Sequence, residues 1–350
     1  MDTQVIVIDE HNIEADKIRA AGKIIRDGGL VAFPTETVYG LGGDGLNPES
    51  SKKIYAAKGR PSDNPLIIHI ARLEDLYPIV TEVTEDVLRL AEAFWPGPLT
   101  MILPKSDRVP YETTGGLDTV AVRMPEHKTA LAFIEAAGGY VAAPSANTSG
   151  KPSPTLATHV IDDMQGRIDM IIDGGAVGIG LESTIVDMTE EVPMILRPGY
   201  ITQEMLYKVL GEVTMDKTLM GTDTKEAPKA PGMKYKHYAP KGDLTIVEGS
   251  EEAVIQQINA LICKGQARGE RVGVIATKET MDYYKADVIK CAGSRQCEEE
   301  IAHGLYAILR EFDDDEVTLI YSESFKSLGM GQAIMNRLLK AAGYQVIHAE

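Results

Sequence analysis

The sequence predicts an α/β protein of two domains, and three observations carry that expectation. At 350 residues the chain exceeds the usual reach of a single hydrophobic core. Residues 1–210 mix short apolar strands with helices in an irregular order, under dense glycine and proline punctuation. Residues 243–350 instead alternate strand and helix regularly, which is the signature of a small parallel sheet covered by helices.

In the first half the strand candidates are Leu30–Phe33, Pro65–Ile70, Leu99–Leu103, Val120–Val122, Tyr140–Ala143 and Met170–Ile172, each a short apolar run bounded by turn residues. Helical spacing of apolar residues covers Asp16–Arg26, Ser50–Ala57, Asp86–Phe94 and Lys128–Ala137. Residues 211–242 turn polar and end in Ala230-Pro231-Gly232-Met233-Lys234-Tyr235-Lys236-His237-Tyr238-Ala239-Pro240. We read this stretch as an interdomain linker whose tyrosines, histidine and lysines are able to touch a ligand; packing on the surface is the plainer alternative. The second half reads strand Leu244–Val247, helix Glu251–Lys264, strand Arg271–Ala276, a short helix near Thr280, strand Asp287–Lys290, helix Glu298–Glu311, strand Val317–Tyr321 and helix Gly331–Ala342. The acidic run Asp313-Asp314-Asp315-Glu316 fits a solvated turn better than a metal site.

Composition narrows the function. A net charge of -17 repels a phosphate backbone, so stable tRNA binding is not expected. The start of the chain lacks a secretory signal and no run spans a bilayer, so a cytoplasmic protein with no membrane partner is expected. The three cysteines, Cys263, Cys291 and Cys297, lack zinc-site spacing and read as free thiols.

Two short motifs fail in context. Gly40-Leu41-Gly42-Gly43-Asp44-Gly45 matches G-x-G-x-x-G, but Pro34–Tyr39 separates it from the preceding strand and Pro48 follows where a helix should already run. Gly150-Lys151 resembles the end of a phosphate-binding loop, yet Ser145 stands where the first glycine belongs and Pro152 follows the lysine.

A scattered polar set remains. In Lys58-Gly59-Arg60-Pro61 two cations flank a glycine, and with the turn chemistry of Asp63-Asn64-Pro65 both heads are expected to project from a loop, suited to a polyphosphate or simply solvated. Ser145-Ala146-Asn147-Thr148-Ser149-Gly150 follows an apolar strand with hydroxyl and amide groups that suit phosphate oxygens, a water-bound ion or a capped turn. Leu181-Glu182-Ser183-Thr184 opens a strand with hydroxyls, and Arg197 precedes a proline turn. Arg123, alternating with apolar neighbours, is shaped to hold a carboxylate, whereas His69, taken alone, reads first as a satisfied core histidine.

Taken in order, Pro34–Leu41, Lys58–Pro61, Asn64–Leu66, Trp95–Thr100, Arg123–Pro125, Pro144–Gly150, Glu182–Thr184 and Arg197–Gly199 resemble the L-threonylcarbamoyl-AMP synthase family in its two-domain form. The resemblance covers nearly the whole chain, more loosely beyond Pro240. It implies a catalytic domain at 1–210 with a twisted α/β sheet around a deep concave cavity, a linker or lid at 211–242, and a smaller Rossmann-like C-terminal α/β domain at 243–350. It also implies a reaction: ATP-dependent joining of L-threonine and bicarbonate or CO2 into L-threonylcarbamoyladenylate, with release of pyrophosphate.

Carried over residue by residue, the catalytic set is Lys58, Arg60, Ser145 and Asn147. ATP would be held by these together with Asn64, Thr119, Ser153, Arg197, Tyr235 and His237. L-threonine would meet Thr37, His69, Arg123, Ala143 and Ser183. Mg2+ would arrive with ATP rather than on protein side chains, and no tightly bound organic cofactor is implied. The product would pass to a tRNA threonylcarbamoyl transferase. Two other classes stay open, a double-stranded RNA-binding or regulatory module and a dinucleotide-dependent oxidoreductase.

Overall fold

The computed structural model describes residues 2–216, 219, 238–326 and 328–350. These fall into two compact units. The first holds the residues up to Ser149 and those from Ser153 to Leu219; the second holds Gly150–Pro152 and the residues from Tyr238 onward. Among the described residues no helix is long and apolar enough to cross a membrane.

The first unit contains strands β1 (Gln4–Val7), β2 (Val31–Phe33), β3 (Gly40–Asp44), β4 (Ile67–His69), β5 (Leu99–Pro104), β6 (Thr119–Arg123), β7 (Val141–Ala143), β8 (Met170–Asp173), β9 (Thr184–Asp187), β10 (Met194–Arg197) and β11 (Thr214–Met215). They form one mixed sheet in the order β1-β8-β2-β3-β7-β4-β6-β5-β9-β10-β11. Helices α1 (Ala15–Arg26), α2 (Pro48–Lys58), α3 (Glu85–Phe94), α4 (Tyr111–Thr114), α5 (Lys128–Ala136), α6 (Ala157–Met164) and α7 (Gln203–Leu210) pack against it.

Alternation along the strands sorts the two faces of the sheet. Ile68, Met101, Val122, Val186 and Ile195 share one core with Val87, Leu90 and Ala91 of α3 and Leu206 of α7. Their immediate chain neighbours, including His69, Thr100 and Arg123, therefore belong to the other face.

The glycine motif at 40–45 is β3, antiparallel to both β2 and β7. A side chain is sterically barred there, since a Cβ on Gly42 would lie 2.8 Å from Val141 Cγ1. These glycines let neighbouring side chains close over the strand instead of cradling a pyrophosphate, which removes the dinucleotide reading of the motif. Pro48, which argued against a helix, occupies the first position of α2, where its missing N–H costs nothing, and Asn47 caps the helix by accepting from Glu49 N at 3.0 Å.

The second unit is an all-parallel sheet of β12 (Asp243–Glu248), β13 (Val272–Ala276), β14 (Val288–Cys291), β15 (Leu319–Glu323) and β16 (Val346–His348), in the order β14-β13-β15-β12-β16. Helices α8 (Glu251–Gln266), α9 (Glu298–Asp314) and α10 (Gly331–Ala341) follow in turn. Val254, Ile258 and Ile262, spaced by four residues along α8, bury against Val247, Val272, Val274 and Ala276. Arg310 of α9 donates from Nη2 to Pro152 O at 2.6 Å, and Ala239 N donates to Gly150 O at 3.0 Å, which is how that short loop counts with this unit.

Two boundaries differ from the expectation. The stretch expected as linker begins inside the first sheet, because Thr214–Met215 pairs with β10 as its edge strand. The acidic run is also partly helical, with Asp313 and Asp314 in the last turn of α9 and Asp315 paired with Lys290 at 2.8 Å.

Candidate functional site

Register assembles the site. His69 stands opposite Arg123, Arg123 opposite Thr100, Thr100 opposite Ile185, and Ile185 opposite Arg197. Five strands thus present one cross-strand row on the face away from the α3/α7 core. Arg197 reaches the row only because the β9–β10 register shifts between Ile195 and Arg197.

Hydroxyl and carbonyl oxygens orient the cations of this row. Arg123 is 4% exposed and donates from Nη1 to Thr37 Oγ1 at 2.8 Å and from Nε to Gly97 O at 3.4 Å. Arg197 donates from Nε to Ser183 O at 3.0 Å and from Nη2 to Ser183 Oγ at 3.1 Å, while Ser183 Oγ lies 2.7 Å from Thr100 Oγ1. Gly199 supports this arrangement by its small size, since a Cβ there would sit 2.5 Å from Thr184 N. His69 is held neutral. Burial, and then the charge of Arg123, lower its pKa to about 3, and its Nδ1 lies 3.1 Å from Ile67 O.

A second group lies toward the other end of the same strands. Thr119 is on the same face of β6 as Arg123 but four residues back, about 13 Å at ordinary strand rise. Two residues before Ile67, Pro65 O accepts from Arg60 Nη2 at 3.2 Å. Asn64, fully buried, meets no hydrogen-bond partner for its side-chain amide among the described residues, an arrangement that a polar ligand would relieve.

Lys58 does not project from a loop with Arg60 as expected; it is the last residue of α2 and 3% exposed. Gly59, in the left-handed conformation at φ 63°, turns the chain so that Arg60 alone leaves the helix axis. The Lys58 ammonium donates to Ser145 O and Asn147 O, each at 2.5 Å. The loop it grips is set by the sheet: Ser145 bridges to Gly40 beyond the end of β7, and Ala146 N donates to Tyr39 O at 2.8 Å. Ser145 Oγ donates to Asn147 Oδ1 at 2.5 Å. Ala143, on β7 opposite Ile67, contributes a methyl and backbone. Ser153 is committed elsewhere, donating to Glu182 Oε1 at 2.5 Å. Tyr235 and His237 lie outside the described residues.

A family model described as "Telomere recombination" matches residues 23–199, and one described as "Threonylcarbamoyl-AMP synthase, C-terminal domain" matches residues 201–343. A threonylcarbamoyl-AMP synthase of Pyrococcus abyssi is 50% identical over 98% of this chain and 99% of its own length. The chain belongs to the threonylcarbamoyl-AMP synthase family. The Bacillus subtilis member is likewise 50% identical, over 98% of each chain. Among solved structures, P. abyssi Sua5 complexed with L-threonine superposes with a TM-score of 0.94 at 50% identity, covering 99% of this chain and all of that one. A large mixed α/β sheet followed by a separate C-terminal domain is thus the architecture of this synthase family. Nothing in these likenesses favours a double-stranded RNA-binding module.

Sequence reasoning within the synthase resemblance missed two residues that shape the site. Thr100 joins Arg123 and Ser183 in the row; it sat in the Trp95–Thr100 motif, and strict alternation from Leu99 would have placed it on the polar face. Glu36 lies at 2.6 Å from Arg123, in the middle of the Pro34–Tyr39 motif.

Proposed function

We propose that this chain uses L-threonine, bicarbonate or CO2 and ATP to make L-threonylcarbamoyladenylate, releasing pyrophosphate and supplying the threonylcarbamoyl group of a tRNA modification. The observation that carries this reading is the presence of two different polar groups, one in the cross-strand row around Arg123 and one around Lys58. A buried guanidinium with hydroxyls around it suits the carboxylate and hydroxyl of threonine, while Lys58 with Ser145 and Asn147, and Arg60 at Pro65 O, supply the cations and oxygens that suit a triphosphate.

The threonine amine attacks the carbon of CO2 to give a carbamate, and a carbamate oxygen then attacks the α-phosphorus of ATP, with pyrophosphate as leaving group. No protein nucleophile is needed for either step. The chain instead positions the reactants and neutralises charge, which makes it a nucleotidyltransferase acting by orientation and electrostatics. Magnesium enters as part of the ATP substrate, and the Ser145 hydroxyl and Asn147 amide are hard oxygen donors of the kind its hydration shell accepts. The labile product then goes to a transferase that acts on tRNA, in the cytoplasm.

The test is pyrophosphate release by the full chain with MgATP and bicarbonate, comparing L-threonine, L-serine, L-valine and no amino acid. Release that depends on both threonine and bicarbonate is expected. Lys58→Ala should lower turnover by roughly 10²–10³, the scale of losing one preorganised charge at a developing anion. Arg123→Ala should act mainly on threonine KM. Release without threonine, or none with ATP bound, would overturn the assignment.

A further inference from the structure

The turn that joins β2 to β3 is pinned from both sides. Thr35 Oγ1 accepts from Thr37 N and Val38 N, each at 3.2 Å, and donates to Val38 O at 2.6 Å. Ile179 N donates to Glu36 O at 2.8 Å and Gly180 N to Thr37 O at 3.1 Å. A backbone fixed in this way aims Glu36 at Arg123, where both side chains are nearly buried, at 11% and 5% exposure.

The pair is close but incomplete. Glu36 Oε2 lies 2.6 Å from Arg123 Nη2, off the line of a hydrogen bond, and among the described residues neither carboxylate oxygen of Glu36 meets an aligned donor. A carboxylate removed from water normally accepts several hydrogen bonds, and leaving it without them is costly. An α-amino acid supplies both missing halves, a carboxylate for the guanidinium and an ammonium for Glu36.

We infer that Glu36 binds the ammonium of the substrate threonine and removes its proton, producing the amine that attacks CO2. The inference rests on the function proposed above. One N–H bond of the ammonium breaks, its electron pair stays on nitrogen and the proton moves to a Glu36 oxygen. The lone pair then forms the N–C bond as a π pair of CO2 shifts onto oxygen, and the second proton of the new carbamic nitrogen leaves to water.

Among the described residues, Arg123 and His127 interact with Glu36 electrostatically. Arg123 faces it from β6. His127, which caps α5, is weakened as a base by burial, while the charges of Glu10 and Glu36 act in the opposite sense. His69, beside Arg123, stays neutral.

The experiment pairs full-length wild type with Glu36→Gln and Glu36→Asp, at matched melting temperature. Calorimetry would compare L-threonine with the dihydroxybutanoate in which a hydroxyl replaces the amine, and pyrophosphate release would be followed from roughly pH 7 to pH 9, where a free amine becomes more abundant. Wild type should prefer threonine by at least about 10-fold, the effect of one buried charge partner. Glu36→Gln should lose that preference and turn over about 10²–10⁴ more slowly, the usual span for general-base removal, with partial recovery as pH rises. Glu36→Asp should keep the preference at an intermediate rate. Wild-type turnover and pH profile in Glu36→Gln, or tighter threonine binding by it, would overturn the inference while leaving the synthase reading intact. Wild-type preference for the analogue would do the same without any variant. Failure of wild type to release pyrophosphate with threonine would overturn both.

Discussion

The two units each bury a glutamate against an arginine, and the pairs are built differently. Glu323, at the end of β15, has every acceptor position in use. Its Oε1 accepts from Thr280 Oγ1 and from Tyr284 Oη at 2.7 Å, and its Oε2 from Thr277 Oγ1 at 3.4 Å and from Arg295. Glu36 has Arg123 beside it and, among the described residues, no aligned donor. Open parallel sheets commonly bind ligands beyond the carboxyl ends of their strands, where successive connections leave in opposite directions. In the second unit that place, between β13 and β15, is filled by the protein's own hydroxyls and charges. A buried charge pair closed by its own neighbours is architecture, and one left short of donors is a site waiting for a partner.

The largest expected effect tests the closed pair. Glu323→Ala strips the acceptor from three buried hydroxyls and the counter-charge from Arg295, whose side chain is 30% exposed and able to rehydrate in part. We expect it to destabilise the second unit by about 3 kcal/mol, read as faster hydrogen exchange of β15 amides in the full chain. Glu36→Gln should change first-unit stability by under about 1 kcal/mol, because it removes a charge that lacked donors. Equal costs at the two positions would mean that Glu36 is as structural as Glu323.

The two units also differ in how far the sequence exposes them. Regular alternation made the parallel sheet of the second unit readable to within a residue or two, except β16, which is three residues long and gains its strand character only from β12. In the first unit β3 was invisible, since glycines carry no strand preference and this strand exists because Val31–Phe33 and Val141–Ala143 flank it. Arg123 and Lys58 were legible from residue type and local pattern. Glu36 was not, because its partner is 87 residues away and only sheet register brings the two together. Lys58 was legible as a cation and misplaced as a loop residue, because nothing local to Lys58-Gly59 says that α2 runs to the lysine.

The open pair also leaves a pH signature. Buried His69, beside Arg123, gives up its proton until about pH 3, whereas an unfolded histidine binds one near pH 6.5. Between those values the unfolded chain holds the extra proton, so stability falls as pH drops below about 6.5 and is unaffected above it. From pH 7 to pH 5 this one group should cost the first unit about 2 kcal/mol. His69→Gln should flatten that part of the acid limb in urea titrations monitored at first-unit amides. His127, also lowered by burial, contributes with the same sign and remains in the variant, so only the difference between the two curves reports His69. An unchanged limb would mean that His69 is protonated in the fold, and with it that a positive charge is tolerated beside Arg123.

The smallest effect concerns the turn that holds Glu36 in place. Thr35 is 2% exposed and its hydroxyl serves two amides and one carbonyl, so Thr35→Ala leaves buried backbone groups unpaired while Thr35→Ser keeps the oxygen. A cost of about 1 kcal/mol is expected for alanine and less for serine. Stability alone does not separate this turn from any other buried turn. The separation comes from threonine: if the open pair is completed by the substrate, the loosened turn of Thr35→Ala should weaken L-threonine binding, so a fixed threonine concentration should add less stability to the variant than to wild type. A variant that binds threonine as wild type does, and so gains the same stability from it, would place the turn outside the site and return Glu36 to a purely structural pair like that of Glu323.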